Sequence, residues 1–305
     1  MIGSHTPCPR SPAIEARLNP DDVASRMKLE LRDIGIPPRP AILEELDREL
    51  AKDEPDFIRL GRIISTDVGL SAGLIKITNS PFFGLGKKVG TVQEALLLLG
   101  LRIVVNTIAG LALRQTFKHV PMMDRFWSAS AATARVSAAL VQALGIKHHV
   151  RAEDAYTFSL FRDCGIPVLM IPFPQEYRDV LIDANNDAER PFTAVEDGRL
   201  GINHAAVGTE LARNWCLPDE ICEAIQSHHN AEQLVENSDD ALPPRTARLI
   251  ALAQLAEYLL QQHTGMMKSV EWQKLGPSCL AVLEITEDDL PRLAEACREA
   301  CEADY

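Results

Sequence analysis

The chain has 305 residues, 46% of them hydrophobic and 24% charged, which is long enough to bury a sizeable core. With 43 acidic against 31 basic side chains the net charge is -12, leaving no broad cationic surface for a nucleic-acid backbone, so no nucleic-acid partner is expected. The 7 cysteines are an odd number scattered over the chain and read as reduced thiols of a cytoplasmic protein.

Met1 to Pro12 lacks the apolar core of a signal peptide, and residues 1–19 are expected to form a flexible tail. Asp21 and Asp22 can cap a helix carrying Val23, Met27, Leu31 and Ile34, which Gly35 ends. After the Pro37-Pro38-Arg39-Pro40 turn comes a helix with Ile42, Leu43, Leu46 and Leu50, then one beyond Pro55 with Phe57, Leu60, Ile63 and Ile64. Thr66 or Asp67 caps a third, which carries Leu70, Leu74 and Ile77 and breaks at Asn79-Ser80-Pro81-Phe82-Phe83-Gly84. Thr91 and Glu94 form a capping box ahead of an apolar helix over 92–99, and Gly100 separates it from a longer helix over 101–118. The apolar run 95–113 is interrupted by Gly100, Arg102, Asn106 and Thr107, so two buried helices are expected and no membrane span.

Asp124 opens a long alanine-rich helix that Gly145 stops, with small residues that let other helices approach closely. A helix from Glu153 runs into Leu160-Phe161-Arg162-Asp163-Cys164-Gly165, and the apolar segment 166–173 reads as packing behind a central helix, although a strand is the competing reading. Residues 175–184 form an amphipathic helix, and Thr193 with Glu196 a second capping box. His204 begins a helix ending at Trp215, Pro218 opens one finishing in His228-His229, and further helices are expected over 245–263 and 287–303. Trp127 and Trp215 are expected to pack within the second half. Cys297 and Cys301, one helical turn apart, lack a second Cys/His pair and read as a helix face, not a zinc site.

Four stretches in order, Ile36-Pro37-Pro38-Arg39-Pro40, the segment Ile64 to Ser71, Thr78 to Gly84 and Ala95 to Gly100, resemble the N-terminal half of the HDOD family. Phe126-Trp127, Gly201 to Gly208 and Trp215-Cys216-Leu217-Pro218 leading to His228-His229 continue the likeness, which covers roughly residues 29–260. The resemblance implies an all-α bacterial regulatory domain over 20–265, built as an N-terminal helical lobe (20–119) packed on a lobe like that of the HD phosphohydrolases (120–265). Residues 266–305 would then be a C-terminal helical extension.

The resemblance also implies where the metal ligands of the catalytic superfamily would fall. The first histidine maps to Ala129, the His-Asp pair to Arg162-Asp163, the later histidines to His204 and to His228 or His229, and the distal aspartate to Gln254. A guanidinium has no lone pair for a metal and stays charged, so Arg162 opposes a cation there. Too few ligands are counted for a divalent ion, and neither metal, cofactor nor catalysis is expected. Arg162 is expected to pair with a nearby carboxylate where the ion's charge would lie. Asn79, Phe82 and Phe83 are read as contacts between the lobes or with a partner.

Two function classes follow. One is a non-enzymatic signalling module that docks an unidentified signalling protein. The alternative is a phosphohydrolase, or a nucleotide-binding sensor in which Arg162 receives a phosphate.

Overall fold

The computed structural model describes residues 36–79, 88–121, 123–235, 240–265 and 269–302. Among the described residues every regular element is helical and there is no strand. The expected tail, the helix opened at Asp21, and Phe82 and Phe83 lie outside the described residues.

In the N-terminal part, α1 (Ala41–Leu50) turns Leu43 and Leu46 inward. Asp56 caps α2 (Phe57–Ser65) by accepting from the Ile58 and Arg59 backbone amides. Of the two candidates for the next cap it is Asp67 that serves α3 (Val68–Thr78), accepting from Leu70 N–H. The Thr91–Glu94 capping box opens α4 (Val92–Leu99). Gly100, at φ 79°, then makes the corner into α5 (Leu101–Thr116), a conformation that a Cβ would strain. Asn79 closes the intervening loop from within this part: its amide donates to Val89 O at 2.8 Å and accepts from Val89 N at 2.7 Å.

The second part is built on α6 (Asp124–Ala143), which packs against α7 (Ala152–Phe161) and α13 (Pro244–Thr264). Ala131, Ala134 and Ala138 are buried in α6, and such small residues let neighbouring helices lie close. Between α7 and α13 run α8 (Gly165–Leu169), α9 (Glu176–Asn186), α10 (Phe192–Leu200), α11 (His204–Asn214) and α12 (Asp219–Ser227). The apolar segment after Gly165 is therefore helical, with Val168 and Leu169 fully buried behind the site. Two expectations are corrected. Helix α10 starts at Phe192 after Pro191 with no side-chain cap, which frees Glu196 to turn inward, fully buried. Downstream of α13 lies a helix the sequence reading did not separate, α14 (Glu271–Val282), and the expected last helix is broken into α15 (Leu290–Ala296) and α16 (Arg298–Glu302).

One continuous buried core joins the two parts, from Leu43 to Cys297. Trp127 and Trp215 sit at that junction, not within the second half alone. Trp127 stacks on Phe117 with centroids 6.4 Å apart, and Trp215 Nε1 donates to Pro37 O at 3.4 Å. Buried Asp154 adds an electrostatic tie, because Arg102 of α5, Arg151 and Arg245 of α13 all reach its carboxylate. Cys297 is buried and Cys301 half-buried on one face against α6, and neither joins a metal-ligating group among the described residues. No described helix is long and apolar enough to cross a membrane.

Gly165 fixes the distance between α8 and α11. A Cβ there would lie 2.0 Å from His204 O and 2.7 Å from Gly208 N, both backbone atoms that cannot swing aside. Gly165→Ala is expected to destabilise the protein by about 2–3 kcal/mol in urea titration, since overpacking forces the backbone to move. Gly198→Ala, with nothing within 4 Å of its Cβ position, is the matched control and is expected to be neutral or stabilising by up to ~1 kcal/mol.

Candidate functional site

Three helix ends converge on one buried point. The turn after α7 carries Arg162 and Asp163, the first residue of α11 is His204, and the C-terminus of α12 delivers His228 and His229. Asn203 fixes the start of α11 by accepting from Ala206 N–H, so His204 enters the interior with no exposed surface. One donor atom from each of Asp163, His204, His228 and His229 lies within 4.8 Å of the other three. His204 Nε2 stands 3.2 Å from the Nε2 atoms of both His228 and His229. Asp163 Oδ1 is 3.2 Å from His228 Nε2 and 3.6 Å from His204 Nε2.

The outward nitrogens are bonded too. His204 Nδ1 lies 2.7 Å from Glu196 Oε2, His228 Nδ1 2.7 Å from Ile225 O, and His229 Nδ1 2.8 Å from Glu271 Oε2. Glu196 also accepts from the Tyr177 hydroxyl, whose pKa burial and the Glu196 charge push well above the usual value. Phe192 stacks on His229 with centroids 4.8 Å apart and meets His204 edge-on, giving the cluster an apolar wall.

Arg162 behaves as the sequence led one to expect. Its guanidinium is mostly buried, with Nη2 2.9 Å from Asp163 Oδ2 and 2.9 Å from Glu257 Oε2. The Asp163 carboxylate is thus divided, one oxygen to Arg162 and the other to the histidines. Burial would raise its pKa, but the Arg162 charge and the His204 and His228 hydrogen bonds hold it well below the usual carboxylate range. Glu257 is pushed upward by burial, which outweighs Arg162. Burial works against a charged His204 ring, yet Glu196 and Asp163 raise it to about 10. His228 is lowered by burial, and His229 more strongly, by burial and the two neighbouring rings.

A cavity of about 380 Å³ opens onto Arg162, Asp163, His204 and His229 and is walled by Glu257 and Glu271. Ala129 and Gln254 are not among the residues lining it. The cluster therefore forms from Asp163 and three histidines, where the sequence reading counted only one of His228 and His229. The ligand count is corrected on this point: four donors are present, enough for a four-coordinate ion. A phosphate at Arg162 loses support, because two carboxylates already match that charge and Glu271 stands nearby.

Sequence reasoning missed Glu196, Glu257 and Glu271. Glu257 lies one helical turn past Gln254 on α13, so a face-by-face reading of that helix could have found it. Glu196 was assigned to a cap, and nothing local marks Glu271.

Removing Arg162 leaves two buried carboxylates facing each other. Arg162→Met is expected to cost about 3 kcal/mol in urea titration. Adding Glu257→Gln should recover part of that loss, with a coupling of about 1 kcal/mol or more in the double-mutant cycle. Additive losses would mean that the pair is not a structural tie.

The HDOD domain family model matches residues 36–231. An uncharacterized protein of Treponema pallidum (strain Nichols) is 29% identical over 202 residues, which is 64% of this chain but only 38% of that protein. This chain thus spans less than half of that relative's length. Among solved structures, one from Shewanella amazonensis SB2B, named as a candidate phosphohydrolase, has a TM-score of 0.64 at 17% identity and covers 90% of this chain and 96% of its own. Another from Marinobacter aquaeolei VT8, named as a candidate signal transduction protein, has a TM-score of 0.61 at 22% identity and covers 92% of this chain and 64% of its own. At these identities the likeness to solved structures is one of fold.

Proposed function

The chain belongs to the HDOD domain family, and from that premise we propose that it is a regulatory module of bacterial signal transduction that acts by docking another protein and not by hydrolysis. The observation that carries this reading is Arg162. Hydrolysis by metal-bound hydroxide needs an ion with an open position and a developing negative charge beside it. Here a permanent cation bridges Asp163 and Glu257 beside the cluster and occupies one oxygen of Asp163.

The N-terminal part offers surface for a partner. Ile58, Val68, Leu97 and Leu98 are exposed there, 56% to 81% accessible, on helices whose opposite faces are buried. The strongly acidic net charge suits a protein partner better than nucleic acid.

Two measurements test the reading. The purified chain, supplied with manganese or iron(II), is expected to show no turnover of cyclic di-nucleotides; turnover that His228→Ala abolishes would overturn the proposal. Crosslinked affinity capture from the native cell is expected to recover a signalling protein with the wild type and to lose it with the Leu97→Glu/Leu98→Glu variant. Equal recovery by both would remove this surface from the account.

A further inference from the structure

We infer that Asp163, His204, His228 and His229 bind one first-row divalent cation, with zinc the best match to the donor set. The convergence of the donors carries it: one donor atom from each of the four lies within 4.8 Å of the other three. Ile225 O is an acceptor with no proton to give, so Nδ1 of His228 carries the hydrogen and its Nε2 presents a lone pair in the neutral ring. Glu196 and Glu271 impose the same tautomer on His204 and His229 through their carboxylates. Three lone pairs then point at one another and at Asp163 Oδ1, across contacts of 3.2 Å.

One divalent cation satisfies all four donors at once.

The spacing agrees. Metal–nitrogen bonds of about 2.0–2.1 Å give a tetrahedral site edges of about 3.3 Å. Four of the six donor separations are 3.2, 3.2, 3.2 and 3.6 Å, and all six lie within 4.8 Å. Three imidazoles and one carboxylate oxygen form a borderline donor set that favours zinc over magnesium or calcium. Each histidine is held by an outer partner on its far nitrogen, which is how metal-binding imidazoles are oriented. Arg162 takes the other oxygen of Asp163, so that carboxylate binds through Oδ1 alone and the site holds a single ion. The ion would tie the turn after α7 to the start of α11 and the end of α12.

The test uses the full chain, dialysed against zinc or cobalt(II) and then freed of excess metal. Plasma mass spectrometry is expected to find about one zinc per chain, and cobalt(II) should give the intense visible bands of a tetrahedral ion. A chelator should lower Tm and zinc restore it. His229→Ala should lose the bound metal. In case that variant does not fold, Glu271→Gln keeps all four ligands and should weaken zinc by about 10-fold or more through the orientation of His229. A folded wild-type chain that retains neither metal and whose Tm ignores the chelator would overturn the inference. Ion uptake without turnover leaves the docking function standing, and turnover would sink that function without touching this site.

Discussion

Everything at the centre of this protein depends on how one carboxylate is shared. Asp163 sits in a three-residue turn between α7 and α8, and its two oxygens have different partners, one a guanidinium and one the imidazoles of His204 and His228. Neither arrangement is stable without the other. An ionised carboxylate in the interior needs a fixed partner, which Arg162 supplies, and a histidine cluster needs a negative neighbour to tolerate any cation. The close approach of α8 to α11, possible only because Gly165 has no side chain, sets the distance at which these demands meet.

The same turn carries arginine where the likeness to the HD phosphohydrolases implies histidine. A histidine at position 162 would add a neutral donor, whereas arginine adds a permanent charge and five hydrogen-bond donors. That charge draws Glu257 from the middle of α13 into contact, so a long structural helix is tied to the site by electrostatics as well as by packing. Outer carboxylates from α10 and α14 orient the rings, while Arg162 Nη1 is buried without a hydrogen-bond partner.

Much of the fold was legible in the sequence because its signals are local. Asp67, one of two candidates, and the Thr91–Glu94 box cap the helices they were read to cap, and Gly100 turns the chain where the apolar run is interrupted. The arginine's carboxylate pairing was legible as well, since a buried guanidinium admits few alternatives. What stayed hidden depends on contacts between distant segments. Thr193–Glu196 has the spacing of a cap, yet Pro191 starts the helix earlier and Glu196 turns inward to Tyr177 and His204. The joint convergence of His228 and His229 is a property of how α12 ends against α11, and adjacent residues in a helix ordinarily face apart.

Glu271 changes where this domain should be said to stop. The match to the family model ends at residue 231, but the side chain that orients His229 comes from α14, well past that limit, and Tyr258 stacks on Trp272 to hold α14 against α13. The segment that the family model matches and the segment that folds as a unit therefore have different lengths. A fragment cut at the family boundary would keep the recognisable motifs and lose an anchor of the site they surround.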